Sequence, residues 1–235
     1  MSHRKSVATG DNVGIKYEQY INQILKKKGI QPMELVSAGA TDMPDGYFRH
    51  DERTYPLEIK KDLSADFAQI ELAWNVRSKF LYSDRSKNAE FISVLEKERF
   101  LDEINEKWTD SPKKFSGKQL TQYDRSWDQD HFQDIKREID AVLVEQFYSL
   151  KNPPINYIQI GGKGFFYMSS DIARLNVPRL KGKGILRARL KTRDSRENKY
   201  GFLVAIKLRR TISSTHDVEE KDGRKFPFSR NATYF

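Results

Sequence analysis

Cysteine is absent from all 235 residues, which excludes disulfide staples and thiolate zinc sites and points to a cytoplasmic location. No apolar run is long enough to cross a bilayer, and no secretory leader is read ahead of the first charged residues. Histidine is scarce. His3, His50, His131 and His216 are the full set, and none stands at metal-ligand spacing from another, which argues against zinc. The stretch "IGGKGFF" (160–166) has three glycines and a lysine, but not the spacing or the Ser/Thr of a phosphate-binding P-loop. A tight turn between two strands accounts for it. No Gly-x-Ser-x-Gly nucleophile motif occurs, and there is no internal repeat or low-complexity tract.

What is present sets a different direction. Hydrophobic residues make up 37% and aromatics 12% of the chain, enough for a folded core and against intrinsic disorder. The formal net charge is +9, which favours a polyanionic partner. Without a membrane span, nucleic acid is the stronger of the polyanion readings. The length fits one large domain, or a domain carrying an insertion.

Residues 1–12 read as a polar arm. A helix is predicted from Val13 to Lys28, with Tyr17, Tyr20, Ile21, Ile24 and Leu25 on one side and Gly29 stopping it. Met33–Val36 reads as a short strand and 39–42 as a loop. Two strands, 46–49 and 54–60, flank a turn at Asp51 and Glu52. Further helices are predicted over 66–82, 88–108 and 131–150, with an exposed loop over 110–129 and a short capped helix from Ser170 or Asp171 to Leu175. Strands follow at 155–160 and 164–168, and a long hairpin at 184–193 and 200–210. The order is that of an α/β or α+β domain on a mixed sheet.

The charged hairpin carries the chemistry. With the turn at Asp51 and Glu52, antiparallel pairing sets His50 opposite Arg53 and, counting outward, Asp45 opposite Glu58. Directly opposed Cβ atoms lie roughly 5 Å apart on one face. Two carboxylates that close repel unless something positive sits between them. A hard divalent cation fits, since Mg²⁺ takes one or two carboxylates plus water and phosphate oxygens. Strand alternation puts Lys60 on the face of Glu58, beside that position, and turns Leu57 and Ile59 to a core.

Pro44-Asp45, twelve residues, then Glu58-Ile59-Lys60 resembles the signature of the PD-(D/E)XK nuclease superfamily, which includes many restriction endonucleases. The resemblance covers about residues 13–82, with 155–160 as a later core strand. It implies a restriction-endonuclease-like mixed β-sheet flanked by helices. It also implies that Asp45 and Glu58 bind Mg²⁺, with Mn²⁺ as a substitute, and that Lys60 assists the attacking water. Some members add a glutamate from the first helix, for which Glu18 stands at the edge of the apolar stripe. Others add a glutamine after the lysine, for which Gln69 is the candidate support. The alternatives are a solvated edge glutamate and a buried structural glutamine.

On this reading residues 13–210 form a single nuclease domain. Its core is 13–82 plus 155–168, with a helical insertion at 86–152, a C-terminal basic β-hairpin at 184–210 and a polar segment at 211–235. Arg187, Arg189, Lys191 and Arg193 alternate along one strand, and Lys207 and Arg209 extend the row on the next. Such a basic ribbon fits a phosphate rim, and its plain alternative is a solvated sheet face. "SPKKFSGKQLTQYDRSW" (111–127) is a loop able to wrap DNA, or simply a surface loop. The expected function is a Mg²⁺-dependent endonuclease on double-stranded DNA, resembling type II restriction enzymes and acting as a homodimer. The alternatives are a junction resolvase, a repair, phage or RNA nuclease on the same core, and a non-catalytic nucleic-acid-binding protein.

Overall fold

A computed structural model describes residues 13–31, 43–193 and 199–228. The expected arm at 1–12, the strand at 33–36 and the loop at 39–42 lie outside the described residues. Within them the chain is mixed α and β. It contains helices α1 (Val13–Lys27), α2 (Arg85–Lys97), α3 (Phe100–Lys107), α4 (Gln122–His131) and α5 (Val142–Ser149). The strands are β1 (Gly46–His50), β2 (Arg53–Lys60), β3 (Ala68–Glu71), β4 (Ala73–Asn75), β5 (Phe80–Tyr82), β6 (Ile135–Asp140), β7 (Tyr157–Ile160), β8 (Gly164–Tyr167), β9 (Gly182–Arg193) and β10 (Lys199–Thr211). The chain divides into two compact units. One holds the described residues up to Ala65, Tyr148–Gly182 and those from Arg210 onward; the other holds Asp66–Phe147 and Lys183–Arg209.

The first unit is built on the sheet β1-β2-β7-β8. β1 and β2 form the predicted hairpin, with His50 opposite Arg53 and Gly46 opposite Leu57. Asp51 and Glu52 both adopt positive φ, 45° and 62°. That is the two-residue turn whose twist matches a hairpin, and it fixes the register. β7 runs parallel to β2, setting Glu58 beside Ile158 and Ile59 beside Gln159. β8 returns antiparallel after the glycine turn at 161–162, where Gly162 has φ 71°. α1 ends as its sequence predicts. Lys26 and Lys27 complement the helix C-terminus, and Gly29 at φ 68° closes it.

Ile21 and Leu25 of α1 are fully buried with Leu57 and Ile59. Phe48 stands at the centre of an aromatic cluster, 5.1 Å from Tyr157 and 4.7 Å from Phe228 between ring centroids. Phe228 shows that the C-terminal segment, read as polar, is partly in the core. Its polar residues are bound as well. Buried Gln159 donates to Asp217 Oδ1 at 2.8 Å and accepts from the Val218 N–H at 3.2 Å.

The second unit has the sheet β3-β10-β9-β6 and the small ribbon β4-β5. Here four sequence expectations fail. Residues 66–82 form β3, β4 and β5 rather than a helix. Ala68 and Ile70 are buried while Gln69 and Glu71 are exposed, a period of two that wins over the helical spacing of the same apolar residues. The helix expected over 88–108 is two helices, α2 and α3, broken at Arg99 with φ 54°. The loop expected over 110–129 contains α4, started by a capping box between Thr121 and Asp124. Fully buried Asp128 on α4 accepts the Lys113 and Lys114 N–H groups at 2.7 and 2.9 Å. The helix expected over 131–150 is a strand, β6, followed by the short α5. Ile135 and Ile139 are four apart, so they satisfy both periods, and pairing with Ala188 and Gly184 of β9 decides for strand.

The short helix expected up to Leu175 is also absent among the described residues. Asp171 caps a turn instead, accepting from the Leu175 and Asn176 N–H groups at 3.0 and 2.9 Å.

Candidate active site

α1 and the β1–β2 hairpin place Asp45. Its backbone carbonyl accepts from Asn22 Nδ2 on α1 at 2.9 Å, and its carboxylate Oδ2 accepts from the Ile59 N–H on β2 at 3.0 Å. The next residue is glycine. A Cβ on Gly46 would stand 2.5 Å from Asn22 Oδ1 and 3.2 Å from Ile59 Cδ1, so a side chain there would displace the Asn22 amide that holds Asp45. Asn22 and Gly46 are contributors that motif reading passes over; the sequence signal is a polar residue one position from the buried Ile21.

Glu58 is a buried carboxylate, 6% exposed. Lys60 Nζ lies 3.4 Å from Asp45 Oδ2 and forms a close ion pair with Glu58 Oε1. The same Glu58 oxygen accepts a hydrogen bond from Tyr148 Oη at 2.7 Å. The sequence-based prediction thus brings Asp45, Glu58 and Lys60 together, by the register it assumed. Tyr148 was not anticipated. It lies 90 residues from Glu58, inside an apolar run that reads as core packing.

Burial and neighbouring charges shift the ionisable groups of this pocket. Burial, and then the Asp45 charge, pushes Glu58 up to about 8, although Lys60 pulls the other way. Burial and Asp45 likewise push Glu18 up to about 7. For Lys60, burial favours the neutral amine, but the charges of Glu58, Tyr148 and Asp45 outweigh it and hold the ammonium well above its ordinary value. Burial is thus the first cause of both carboxyl shifts, and the Asp45 charge adds to each while Lys60 opposes it.

The carboxylate oxygens of Asp45 and Glu58 are a test of the implied cation. Among the described residues, no hydrogen bond takes Asp45 Oδ1 or Glu58 Oε2, so each carboxylate keeps one oxygen for a hard cation. The donors are the oxygens Mg²⁺ prefers, and the charge of Asp45 adds to burial in raising the proton affinity of Glu58. No three Asp, Glu, His or Cys side chains among the described residues are grouped so as to hold a metal ion. Asp45 and Glu58 are thus a two-carboxylate set. Glu18 feels the charges of Asp45 and Lys60 but makes no hydrogen bond or ion pair with them.

Glu18 gives a pH prediction for the metal-free chain. Its folded value of about 7 exceeds the ordinary 4.5, so the unfolded chain holds fewer protons between those limits. Stability then falls as pH rises through that window, the reverse of a carboxylate held low by a partner. Glu18→Gln is expected to flatten this part of a plot of urea midpoint against pH. An unchanged slope would refute the placement.

The remaining site expectations fall in the second unit. Gln69 is exposed on β3, opposite Ala205 of β10, and not on the apolar face of a helix. The basic strands exist, but much of their charge is paired. Arg187 bonds Asp134 through Nε at 2.8 Å. Arg189 and Lys207 share Asp66, at 3.7 and 3.1 Å. Lys191 is half-buried and Arg209 exposed, and the Arg193 side chain lies outside the described residues. A nucleic acid on this face has to compete with Asp66 and Asp134. No helix is long and apolar enough to cross a membrane among the described residues.

Compared with protein-family models, with curated proteins and with solved structures, the chain matches none.

Proposed function

We propose that the chain is a Mg²⁺-dependent endonuclease of the restriction-endonuclease-like kind, acting on double-stranded DNA as a homodimer. One observation carries the reading. At the open end of the hairpin, just beyond the Gly46–Leu57 pair, the Asp45 carboxylate bonds the Ile59 N–H and Lys60 Nζ meets the carboxylates of both Asp45 and Glu58. Asp45 and Glu58 are the residues that would hold the ion. Bound there, a divalent cation supplies Lewis-acid polarisation of a phosphodiester and a lowered pKa for a water.

The chain's own groups do the rest. Lys60 keeps its proton at neutral pH, so it donates hydrogen bonds rather than accepting a proton. An ammonium has three donors. Two face Asp45 and Glu58, and the third can orient the attacking water or hold a phosphate oxygen. Burial of Glu58 strengthens each of these charge interactions.

The test is plasmid cleavage with Mg²⁺ by the wild type, Asp45→Ala and Lys60→Ala. Cleavage in the wild type that is lost in both variants supports the assignment; cleavage that survives in both overturns it. Duplex, junction and RNA substrates in parallel separate the other nucleases built on the same core. A second reading, a non-catalytic nucleic-acid-binding protein, draws on the two-carboxylate set already bridged by Lys60. It requires salt-sensitive binding and no cutting in any divalent cation.

A further inference from the structure

We infer that Tyr148 is a positioning residue of this site, aiming the Glu58 carboxylate at the cation; the inference rests on the metal-dependent reading above. Tyr148 is 2% exposed and Glu58 6%, so their contact is shielded from water. The phenol donates to Glu58 Oε1 at 2.7 Å, and Lys60 Nζ engages the same oxygen. Two donors on one oxygen hold Oε1 in place, and among the described residues no hydrogen bond takes Oε2. A glutamate has three rotatable side-chain bonds, and without such a clamp its oxygens exchange freely.

Tyr148 is itself held by backbone. Its carbonyl accepts from the Ile155 N–H at 3.0 Å and the Lys151 N–H at 3.3 Å. Two residues beyond Ile155 the chain enters β7, where Ile158 lies beside Glu58 in the parallel register. The backbone of Tyr148 is thereby tied to the segment that leads into β7, the strand beside Glu58. Outer partners of ligating carboxylates and imidazoles typically contribute about 10–100-fold in metal affinity or activity.

Tyr148→Phe removes only the hydroxyl and keeps the ring in the core, which separates orientation from packing. The experiment is Mn²⁺ titration calorimetry on the full chain for wild type, Tyr148→Phe, Glu58→Gln and the double variant. Tyr148→Phe is expected to bind Mn²⁺ about 10-fold more weakly or worse. In the Glu58→Gln background the same change should add less than about twofold, because a residue acting through Glu58 has nothing left to orient. Wild-type binding with Tyr148→Phe unchanged overturns the inference alone, and so does an equal loss in both backgrounds. No Mn²⁺ binding by the wild type overturns the metal reading and the inference with it.

Discussion

Asp45→Asn is expected to lower Mg²⁺-supported plasmid cleavage by about 10³-fold or more while the protein stays folded. The size follows from removing one of two anionic ligands. Charge stabilisation by a bound metal is worth several kcal/mol, and each 1.36 kcal/mol is tenfold in rate. The fold is spared because asparagine has nearly the same shape and keeps an oxygen to accept the Ile59 N–H, now 3.0 Å from Oδ2. Asp45→Ala should lose cleavage to the same extent but also leave that buried N–H without its partner, at a cost of about 1–3 kcal/mol. Nicking rates over a Mg²⁺ series, paired with urea midpoints, check both halves. If Asp45→Asn cuts within tenfold of the wild type, Asp45 is not a ligand. If Asp45→Asn and Asp45→Ala are equally destabilised, the Ile59 contact is not what holds the loop.

The parts of this site legible in the sequence are those encoded locally. The β1–β2 register follows from the two turn residues at 51 and 52, and alternation then places Glu58 and Lys60 on one face. Asp45, Glu58 and Lys60 were readable because fewer than twenty residues hold the whole construction. The helix α1 was readable for the same reason, through its apolar stripe and Gly29. What escaped depends on distant pairing. "FAQIELAW" (67–74) has apolar residues at spacings that satisfy both a helix and a strand, and only β10 alongside β3 resolves it. Ile135 and Ile139 pose the same ambiguity, resolved by β9. Tyr148 looks like any core aromatic until the fold sets it against Glu58. The basic row fits a phosphate rim in sequence, whereas Asp66 and Asp134, remote from it along the chain, pair with three of its members.

Asp217→Ala is expected to destabilise the chain by about 3–5 kcal/mol, the cost of removing one partner from a buried ion pair. Asp217 is fully buried and is the hub of the C-terminal attachment. Its Oδ1 accepts from Gln159 Nε2 at 2.8 Å and from the Glu219 N–H at 3.1 Å, and its Oδ2 pairs with Arg224 Nη1 at 3.2 Å. Truncation takes from Arg224, whose side chain is only 12% exposed, its buried charge partner, leaving the Gly162 carbonyl at 3.1 Å and the exposed Asp222, and removes the 2.8 Å acceptor of the buried Gln159 amide. Tyr17 should hold less well too, since its hydroxyl donates to Glu219 Oε2 at 2.7 Å, two residues along the same segment. α1 carries Tyr17 and also Asn22, which fixes Asp45. Loss at Asp217 therefore reaches Asp45 through α1, and on the proposed function activity should fall with stability. Urea unfolding gives the measurement. Asp217→Asn, which retains the Gln159 acceptor but not the charge, is expected to lie between the wild type and Asp217→Ala. A midpoint shift for Asp217→Ala worth under about 1 kcal/mol, in the range of an exposed pair, would show that the C-terminal segment is not anchored through this residue.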